Sequence, residues 1–239
     1  MRGRVLVTRP EPGASATARR LAQAGFLPVV LPLTETRALP VGPDAVSGDF
    51  DAVAITSVNA IRHAPAGILA ALAGHHCFAV GAKTAAAAKR AGFRTVAAGS
   101  VDAGGLAMLI GEKAGAGTKI LYFCGRVRFP TFEQSLEDLG LDVMPVETYD
   151  TVELNYSIDA LAAALGGPQV DVVLLYSAKA AAAFAAIEAR PELGRYLGGA
   201  KILALSGRVA AALSNSDPAA LIASEPTEDA LFRLLNREC

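Results

Sequence analysis

Short apolar runs of three to five residues alternate along the chain with longer stretches whose apolar positions follow a helical period. The runs are rich in β-branched residues and nearly continuous in apolar character, which is typical of strands buried on both faces of a parallel sheet. Several helical stretches end at a glycine, the usual residue just beyond a helix. The alternation predicts doubly wound α/β layers. The predicted strands are RVLVT, PVVL, AVAIT, FAV, TVAA, KILYF, DVMPV, VVLL, KILAL and LIAS.

Three blocks of the chain recur in the same order, which predicts two similar halves. The offset is 115 residues for the first block, 120 for the second and 125 for the third. Because the offset grows so little, the differences between the halves fall in loops. The matched blocks are 4–36 with 119–151, Asp51 with Asp171, and 78–100 with 203–225.

The composition mainly excludes other classes of protein. Apolar residues make up 52% of the 239 residues, so the chain can bury a core, and a net charge of -1 gives no strong attraction to nucleic acid. No apolar run is long enough for a membrane span or a signal peptide, so a cytoplasmic protein is expected. Its thiols should be reduced, because they lack CxxC spacing. They are Cys77, Cys124 and Cys239.

The turns after the predicted strands hold the candidate chemistry, because ligands of open parallel sheets bind at the carboxyl ends of the strands. Most of these turns offer a small hydroxyl or a glycine at a helix start, and several add a cation. Free N–H groups and a positive dipole end suit a carboxylate or phosphate there, although Ser and Thr could equally be ordinary caps. Six such turns on one rim would line a cleft rich in anion donors. Their residues are Arg9 and Pro10; Ser57 and Asn59; Gly81, Lys83 and Thr84; Cys124, Gly125, Arg126 and Arg128; Ser177 and Lys179; and Ser206, Gly207 and Arg208.

Several motifs that suggest other chemistry are incomplete. GAKT at 81–84 lacks the glycine and the residue order of a phosphate-binding loop, and GEKAGAG precedes a strand instead of following one. HHC at 75–77 has no second His/Cys cluster that would complete a metal site. There is no nucleophile elbow. The residues therefore indicate anion binding without a metal, a nucleotide or a covalent nucleophile.

Four segments, in order and over nearly the whole chain, resemble the uroporphyrinogen-III synthase family. The first and fourth are the most specific. Where the family often reads Gly-Pro-Thr-Thr, this chain has Ser206-Gly207-Arg208-Val209, so a substrate role for Ser206 carries over only weakly. The segments are VLVTRPEPGASATARRLAQAGFLPVVLPLTE, ITSVNAI, FAVGAKTAAAAKRAGF and ILYFCGRVRFPTFEQSLEDLGLDVMPVETYDTV.

The resemblance implies an enzyme that closes hydroxymethylbilane, a linear tetrapyrrole, to uroporphyrinogen III, with inversion of the last ring and loss of water. It implies no cofactor and no metal. It also implies two similar doubly wound parallel-sheet domains joined by a two-stranded antiparallel linker, with residues 1–36 and 152–239 in one domain and residues 37–151 in the other. The residues alone leave two sequential half-domains open. A monomer is expected, and a transient contact with the preceding pathway enzyme stays an open hypothesis.

Site roles follow from the resemblance residue by residue. The family's leading candidate for the acid that protonates the departing hydroxyl is a tyrosine on the second linker, here Tyr149, whose ring could alternatively only pack. No carboxylate is expected at the strand ends that form the rim, because Asp51 and Asp171 stand at the opposite ends of their strands. The residues expected to bind the substrate carboxylates are Arg9, Ser57, Asn59, Lys83, Thr84, Arg126, Ser177, Lys179 and Ser206.

Two other classes of function compete with the enzyme. A non-catalytic two-domain α/β binding protein for an anionic small molecule would share the same plan, and the altered segment at 206–209 could mean that catalysis is lost. A pure interaction module with a vestigial cleft is the second alternative. The product isomer distinguishes these alternatives from the enzyme, because hydroxymethylbilane closes unaided to the uninverted isomer.

Overall fold

The structure is a computed structural model in which strands and helices alternate along the chain. It describes residues 3–99, 102–213 and 220–238. The strands are β1 (Arg4–Val7), β2 (Leu27–Val30), β3 (Thr34–Ala38), β4 (Ala52–Ile55), β5 (His76–Ala79), β6 (Thr95–Ala98), β7 (Lys119–Gly125), β8 (Asp142–Glu153), β9 (Val172–Leu175), β10 (Lys201–Ala204) and β11 (Leu221–Ile222). The helices are α1 (Gly13–Gln23), α2 (Val58–His63), α3 (Ala66–Leu72), α4 (Gly81–Arg90), α5 (Ala103–Lys113), α6 (Thr131–Asp138), α7 (Ile158–Leu165), α8 (Ala178–Glu188), α9 (Gly194–Leu197), α10 (Gly207–Ala211) and α11 (Glu228–Glu238), with 3-10 turns at Pro43–Val46 and Pro191–Leu193.

The chain divides into two compact units. The first combines Met1–Glu35 with Val152–Cys239, and the second is Thr36–Thr151. The chain therefore passes from one unit to the other at two points, one within β3 and one within β8. None of the described helices is long and apolar enough to cross a membrane.

The first unit contains a five-stranded sheet in the order β11-β10-β9-β1-β2, in which every neighbouring pair is parallel. Alternate residues of each strand enter different hydrophobic clusters. Leu6 and Val173 join a cluster with α7 and α8, whereas Val5 and Val172 join another with α1 and α11. Both faces of this sheet are therefore covered by helices.

The second unit contains the sheet β3-β8-β7-β4-β5-β6, and the pairs from β8 to β6 are parallel. Val53 and Leu121 pack with α2, α3 and α4, whereas Ala54 and Ile120 pack with α5 and α6. The two sheets confirm the predicted doubly wound parallel α/β class. That the chain crossings form an antiparallel linker stays a prediction.

The predicted repeat appears as matching topology. Read from β2, the first sheet runs β2-β1-β9-β10-β11, and read from β8, the parallel part of the second runs β8-β7-β4-β5-β6. β1 and β7 begin at Arg4 and Lys119, which keeps the offset of 115 between the first blocks. Gly25 and Gly140 follow the equivalent helices α1 and α6 with φ angles of 85° and 74°, the left-handed region that favours glycine. The repeat positions 100 and 214–219 lie outside the described residues.

Several strands differ in their bounds from the predicted runs. β8 continues to Glu153, well past the predicted run DVMPV. It lies between β3 on one side and β7 on the other. β11 is reduced to Leu221–Ile222 at the edge of its sheet. Of the cysteines, Cys77 and Cys124 are free and buried, and Cys239 lies outside the described residues.

Candidate functional site

The six candidate turns divide between the two sheets, three on each, and that they line one cleft stays a prediction. The turns after β1, β9 and β10 lie on adjacent strands of the first unit, and those after β7, β4 and β5 lie on adjacent strands of the second. Because all of these strands are parallel, their carboxyl ends lie along one edge of each sheet. We call these edges the first rim and the second rim. Arg9, Ser177, Lys179 and Ser206 belong to the first rim, and Ser57, Asn59, Lys83, Thr84, Arg126 and Tyr149 to the second.

The serines after the strands act as helix caps in two of three positions. Ser57 Oγ accepts a hydrogen bond from the Asn59 N–H at 3.1 Å, and Ser177 Oγ accepts one from the Ala180 N–H at 3.2 Å. Ser206 precedes α10 in an extended conformation without a side-chain hydrogen bond to that helix. Capping by Ser57 and Ser177 leaves other N–H groups of α2 and α8 for a ligand, because a helix start has four unpaired donors.

The remaining turn residues of the second rim differ in accessibility. Lys83 is exposed in the first turn of α4, whereas Thr84 beside it is buried. Asn59 Oδ1 accepts a hydrogen bond from Arg62 at 2.6 Å, so its amide is engaged within α2. In the first unit, Lys179 is half-buried in the first turn of α8. Lys83 is therefore an exposed cation of the second rim that an anionic ligand can reach.

Arg126 and Arg128 lie in a network of carboxylates that the sequence analysis missed. Glu147 accepts hydrogen bonds from Arg126 Nε at 3.0 Å and Arg128 Nη1 at 2.9 Å, and Arg128 Nε donates to Glu133 at 2.6 Å. The hydrogen bonds from Arg126 and Arg128 lower the pKa of Glu147 below its ordinary value. The expectation of no carboxylate on the rim was wrong, because Glu147 directly follows the predicted run DVMPV and pairs with Cys124 near the end of β7. A carboxylate within the segment ETYD was the available signal.

Tyr149 lies at the carboxyl end of the second sheet, opposite Gly125 in the pairing of β8 with β7. Its ring stacks on His63 with centroids 5.8 Å apart, and His63 Nε2 lies 2.8 Å from Thr36 Oγ1. Burial, with the charge of Arg62, lowers the pKa of His63 and favours its neutral form. A Cβ at position 125 would come within 2.7 Å of Tyr149 Cζ, so Gly125 makes room for the phenol ring. The phenol is half-buried and held by ring packing.

Arg9 of the first rim lies in a second network centred on Glu228, the first residue of α11. Glu228 accepts hydrogen bonds from Arg9 at 3.1 Å, Thr17 at 2.5 Å, Arg20 at 2.5 Å and Tyr176 at 3.2 Å. The Arg9 guanidinium also lies over the Tyr176 ring, with its Cζ 4.5 Å from the centroid. Glu228 therefore holds the Arg9 guanidinium in place and is its counter-ion. The sequence offered no signal for this, because Glu228 is distant in the chain.

No group of histidine, cysteine and acidic residues that could hold a metal ion occurs within residues 3–99, 102–213 and 220–238. A cavity of about 640 Å³, lined by Asp51, His76 and Lys113 among others, lies at the amino ends of β4 and β5. It is at the sheet edge opposite the second rim. The chemistry of the turns makes the rim the better candidate site than this shallow cavity.

Comparison with known proteins decides the family. A family model described as uroporphyrinogen-III synthase HemD matches residues 15–233. The chain belongs to the uroporphyrinogen-III synthase family. It is therefore an enzyme of haem biosynthesis that acts on a small-molecule substrate. The resemblance found in the sequence is confirmed.

Solved structures agree with this family in their fold. The chain is similar to the uroporphyrinogen-III synthetase from Helicobacter pylori, with a TM-score of 0.70 at 18% identity over 99% of both chains. It is also similar to a mutant uroporphyrinogen III synthase from the extremely thermophilic bacterium Thermus thermophilus, with a TM-score of 0.57 at 21% identity over 99% of this chain and 98% of that one. A comparison with curated protein sequences found no match.

The Glu228 network generates a prediction about stability and pH. Burial acts to raise the pKa of Glu228, but the hydrogen bonds from Thr17 and Arg20 and the charges of Arg9 and Arg20 outweigh it and lower the pKa. A carboxylate with a lowered folded-state pKa stabilises the fold above its unfolded pKa, and this contribution is lost as pH falls through the folded pKa. We expect Glu228→Gln to cost about 1–3 kcal/mol of unfolding free energy at neutral pH, and less in acid.

Urea denaturation between neutral and acidic pH measures this effect. Glu238→Gln is the matched control, because it removes a carboxylate from the same helix, where Glu238 pairs with Lys201 on an exposed surface. Such exposed pairs contribute only about 0–1 kcal/mol. Equal losses in both variants, or a Glu228→Gln loss that does not depend on pH, would contradict the assignment.

Proposed function

We propose that this chain is a working uroporphyrinogen-III synthase, a cyclising lyase that converts hydroxymethylbilane to uroporphyrinogen III with inversion of the last pyrrole ring and loss of water. The family match over residues 15–233 carries the proposal. The two rims support it, because the substrate is a flexible chain of pyrroles with many carboxylates. Several helix starts and dispersed cations suit such a ligand better than one deep pocket.

The chemistry requires one proton and a great deal of positioning. When the hydroxyl at the end of the bilane is protonated, it leaves as water and an electrophilic azafulvene forms. The last pyrrole ring, as the nucleophile, then attacks the azafulvene through its substituted carbon, and the ring closure with inversion releases a proton that balances the one used to expel water. The enzyme must therefore hold the chain in the folding that favours inversion. Tyr149 is proposed as the proton donor, because it places a phenol O–H at the carboxyl end of the second sheet, on the same rim as the candidate cations and helix starts.

The cations and helix starts are proposed to bind the substrate carboxylates. On the second rim, Lys83 and Arg126 would act with the N–H groups at the starts of α2 and α4. On the first rim, Arg9 and the start of α8 would do the same. Thr84 is buried, and we propose only a supporting role for it within α4. The remaining proposed contacts are Ser57, Asn59, Ser177, Lys179 and Ser206.

The domain plan is part of the proposal. We propose that the enzyme's domains are residues 1–36 with 152–239, and residues 37–151, with β3 and β8 as the antiparallel linkers between them. The division into two compact units at Glu35 and Thr151 supports these boundaries. We further propose that the enzyme works as a monomer in the cytoplasm.

The isomer composition of the product tests the function. We expect purified protein given freshly made hydroxymethylbilane to yield mainly uroporphyrinogen III, because only an enzyme inverts the last ring. Chromatography of the oxidised porphyrins measures the two isomers, and a heat-denatured sample gives the uncatalysed composition. If the protein binds the tetrapyrrole but the product stays isomer I, the non-catalytic binding protein is the better assignment.

Tyr149→Phe tests the proton donor. The variant keeps the ring that stacks on His63, so it should fold normally while isomer III formation falls roughly 10²-fold or more, the low end for a general acid. KM should change little, because the phenol acts on the departing hydroxyl. Tyr156→Phe is the control, since it removes a phenol of the first unit that donates to the Pro32 carbonyl at 2.8 Å. Near-normal activity in Tyr149→Phe would reduce Tyr149 to packing.

Lys83→Ala and Arg126→Ala test the binding of carboxylates. Each should raise KM more than it lowers kcat, because these groups bind the substrate carboxylates in the ground state and the transition state alike. Loss of one charge-assisted hydrogen bond, about 1–3 kcal/mol, corresponds to roughly 5- to 150-fold in KM. Lys89→Ala, an exposed cation in the last turn of α4, should leave KM unchanged. An unaltered KM in both rim variants would mean that these cations only face solvent.

A further inference from the structure

The loop between β7 and α6 presents two large apolar side chains to solvent, and they alternate with two arginines. This loop, residues 126–130, is called the β7–α6 loop below. The exposed fraction is 66% for Val127 and 53% for Phe129, whereas the Arg128 side chain between them is only 22% exposed. Single exposed apolar residues are ordinary on protein surfaces, so position and rigidity decide whether these two matter.

The loop is held by its own arginine. Arg128 turns inward and donates to Glu133 at 2.6 Å, to Glu147 at 2.9 Å and to the Gly125 carbonyl at 3.4 Å. The Arg126 N–H donates to the Tyr149 carbonyl at 2.8 Å, which continues the pairing of β7 with β8. Because Arg128 occupies the inward position, its neighbours Val127 and Phe129 point outward. These hydrogen bonds of Arg128 and of the Arg126 backbone thus hold Val127 and Phe129 in their outward orientation.

The position of the loop is on the second rim. It follows the carboxyl end of β7 beside Tyr149, and its first residue is the exposed cation Arg126. Met108, which is equally exposed at 66%, lies in the middle of α5 instead. The β7–α6 loop therefore combines an apolar surface with a cation at the rim where the proposed site lies.

We propose that Val127 and Phe129 form the contact surface for a pyrrole ring of the tetrapyrrole substrate, with Arg126 binding a carboxylate of the same ring. The proposal rests on the proposed function and deepens it. Each pyrrole has an apolar face and a charged periphery, and the loop offers the same alternation. The apolar side chains recognise the ring face, and Arg128 acts as the positioning residue that holds them outward.

Binding measurements with alanine variants are the first test. Stacking of a flat ring on an aromatic side chain is lost on alanine substitution, and we expect Phe129→Ala to raise KM and the Kd for uroporphyrinogen III about 5- to 50-fold. Phe129→Tyr should keep wild-type values, because it keeps the ring. Met108→Ala, which removes an equally exposed apolar side chain from α5, should have no effect. Unfolding curves of all variants, recorded alongside, separate a loss of binding from a loss of the fold.

A tryptophan probe gives a readout independent of activity. The chain contains no tryptophan, so Phe129→Trp creates a single fluorophore in the loop, and Met108→Trp creates one on α5. Uroporphyrinogen III under anaerobic conditions is the ligand, because its pyrroles are not conjugated and do not accept the indole excitation energy. We expect its binding to shift the emission of Trp in the loop to shorter wavelength and to protect it from acrylamide, with no change for the probe on α5.

The outcomes separate this inference from the proposed function. If wild-type protein forms isomer III while Phe129→Ala binds normally and the loop probe is not shielded, the contact surface is wrong and the function stands. If wild-type protein makes only isomer I but the loop probe is shielded, the synthase assignment fails and the tetrapyrrole contact stands. Equal shielding of both probes would also overturn the inference, because it would show no local contact.

Discussion

Each sheet depends on one parallel pairing between strands that are far apart in sequence. In both sheets, an aspartate at the equivalent position of the repeat holds the two strands together. Asp51 Oδ2 accepts a hydrogen bond from the Lys119 N–H at 2.8 Å, and Asp171 Oδ2 accepts one from the Arg4 N–H at 2.6 Å. In each pair the aspartate N–H also donates to the partner's carbonyl at 3.0 Å. This contact sets the register of β4 against β7 and of β9 against β1. A slip of one residue would move every buried side chain to the opposite face.

The two rims follow from that register. When parallel strands are aligned at their amino ends, their carboxyl ends lie at the same edge of the sheet, and the helices that follow them begin there. The arginines there do not repel one another, since Glu228 pairs with two in the first unit and Glu147 with two in the second. Each carboxylate therefore holds two guanidinium groups in place. On the second rim, pairing of β8 with β7 also places Tyr149 at Gly125. A phenol, a cation and an exposed apolar pair thus share one sheet edge.

The sequence by itself determined the α/β class, most strand positions, the repeat, the glycines after α1 and α6, and the serines that cap α2 and α8. These depend on local pattern: period, β-branching and the need for a residue that tolerates positive φ or accepts a helix N–H. The family resemblance was also readable from segments of the chain. The candidate site residues do follow the predicted strands, but their hydrogen-bond and ion-pair partners could not be predicted from the sequence.

Only the tertiary structure decided which blocks join. The repeat fits two sequential halves as well as two interleaved ones, because β1 and β7 have equivalent patterns and either could lie beside β4. The structure pairs β1 with β9 and β7 with β4, a choice made by side-chain packing and backbone bonds across the whole chain. It also decided that Glu147 and Glu228 face the rim arginines and that Val127 and Phe129 face outward. Such contacts join residues far apart in sequence, and local periodicity carries no information about them.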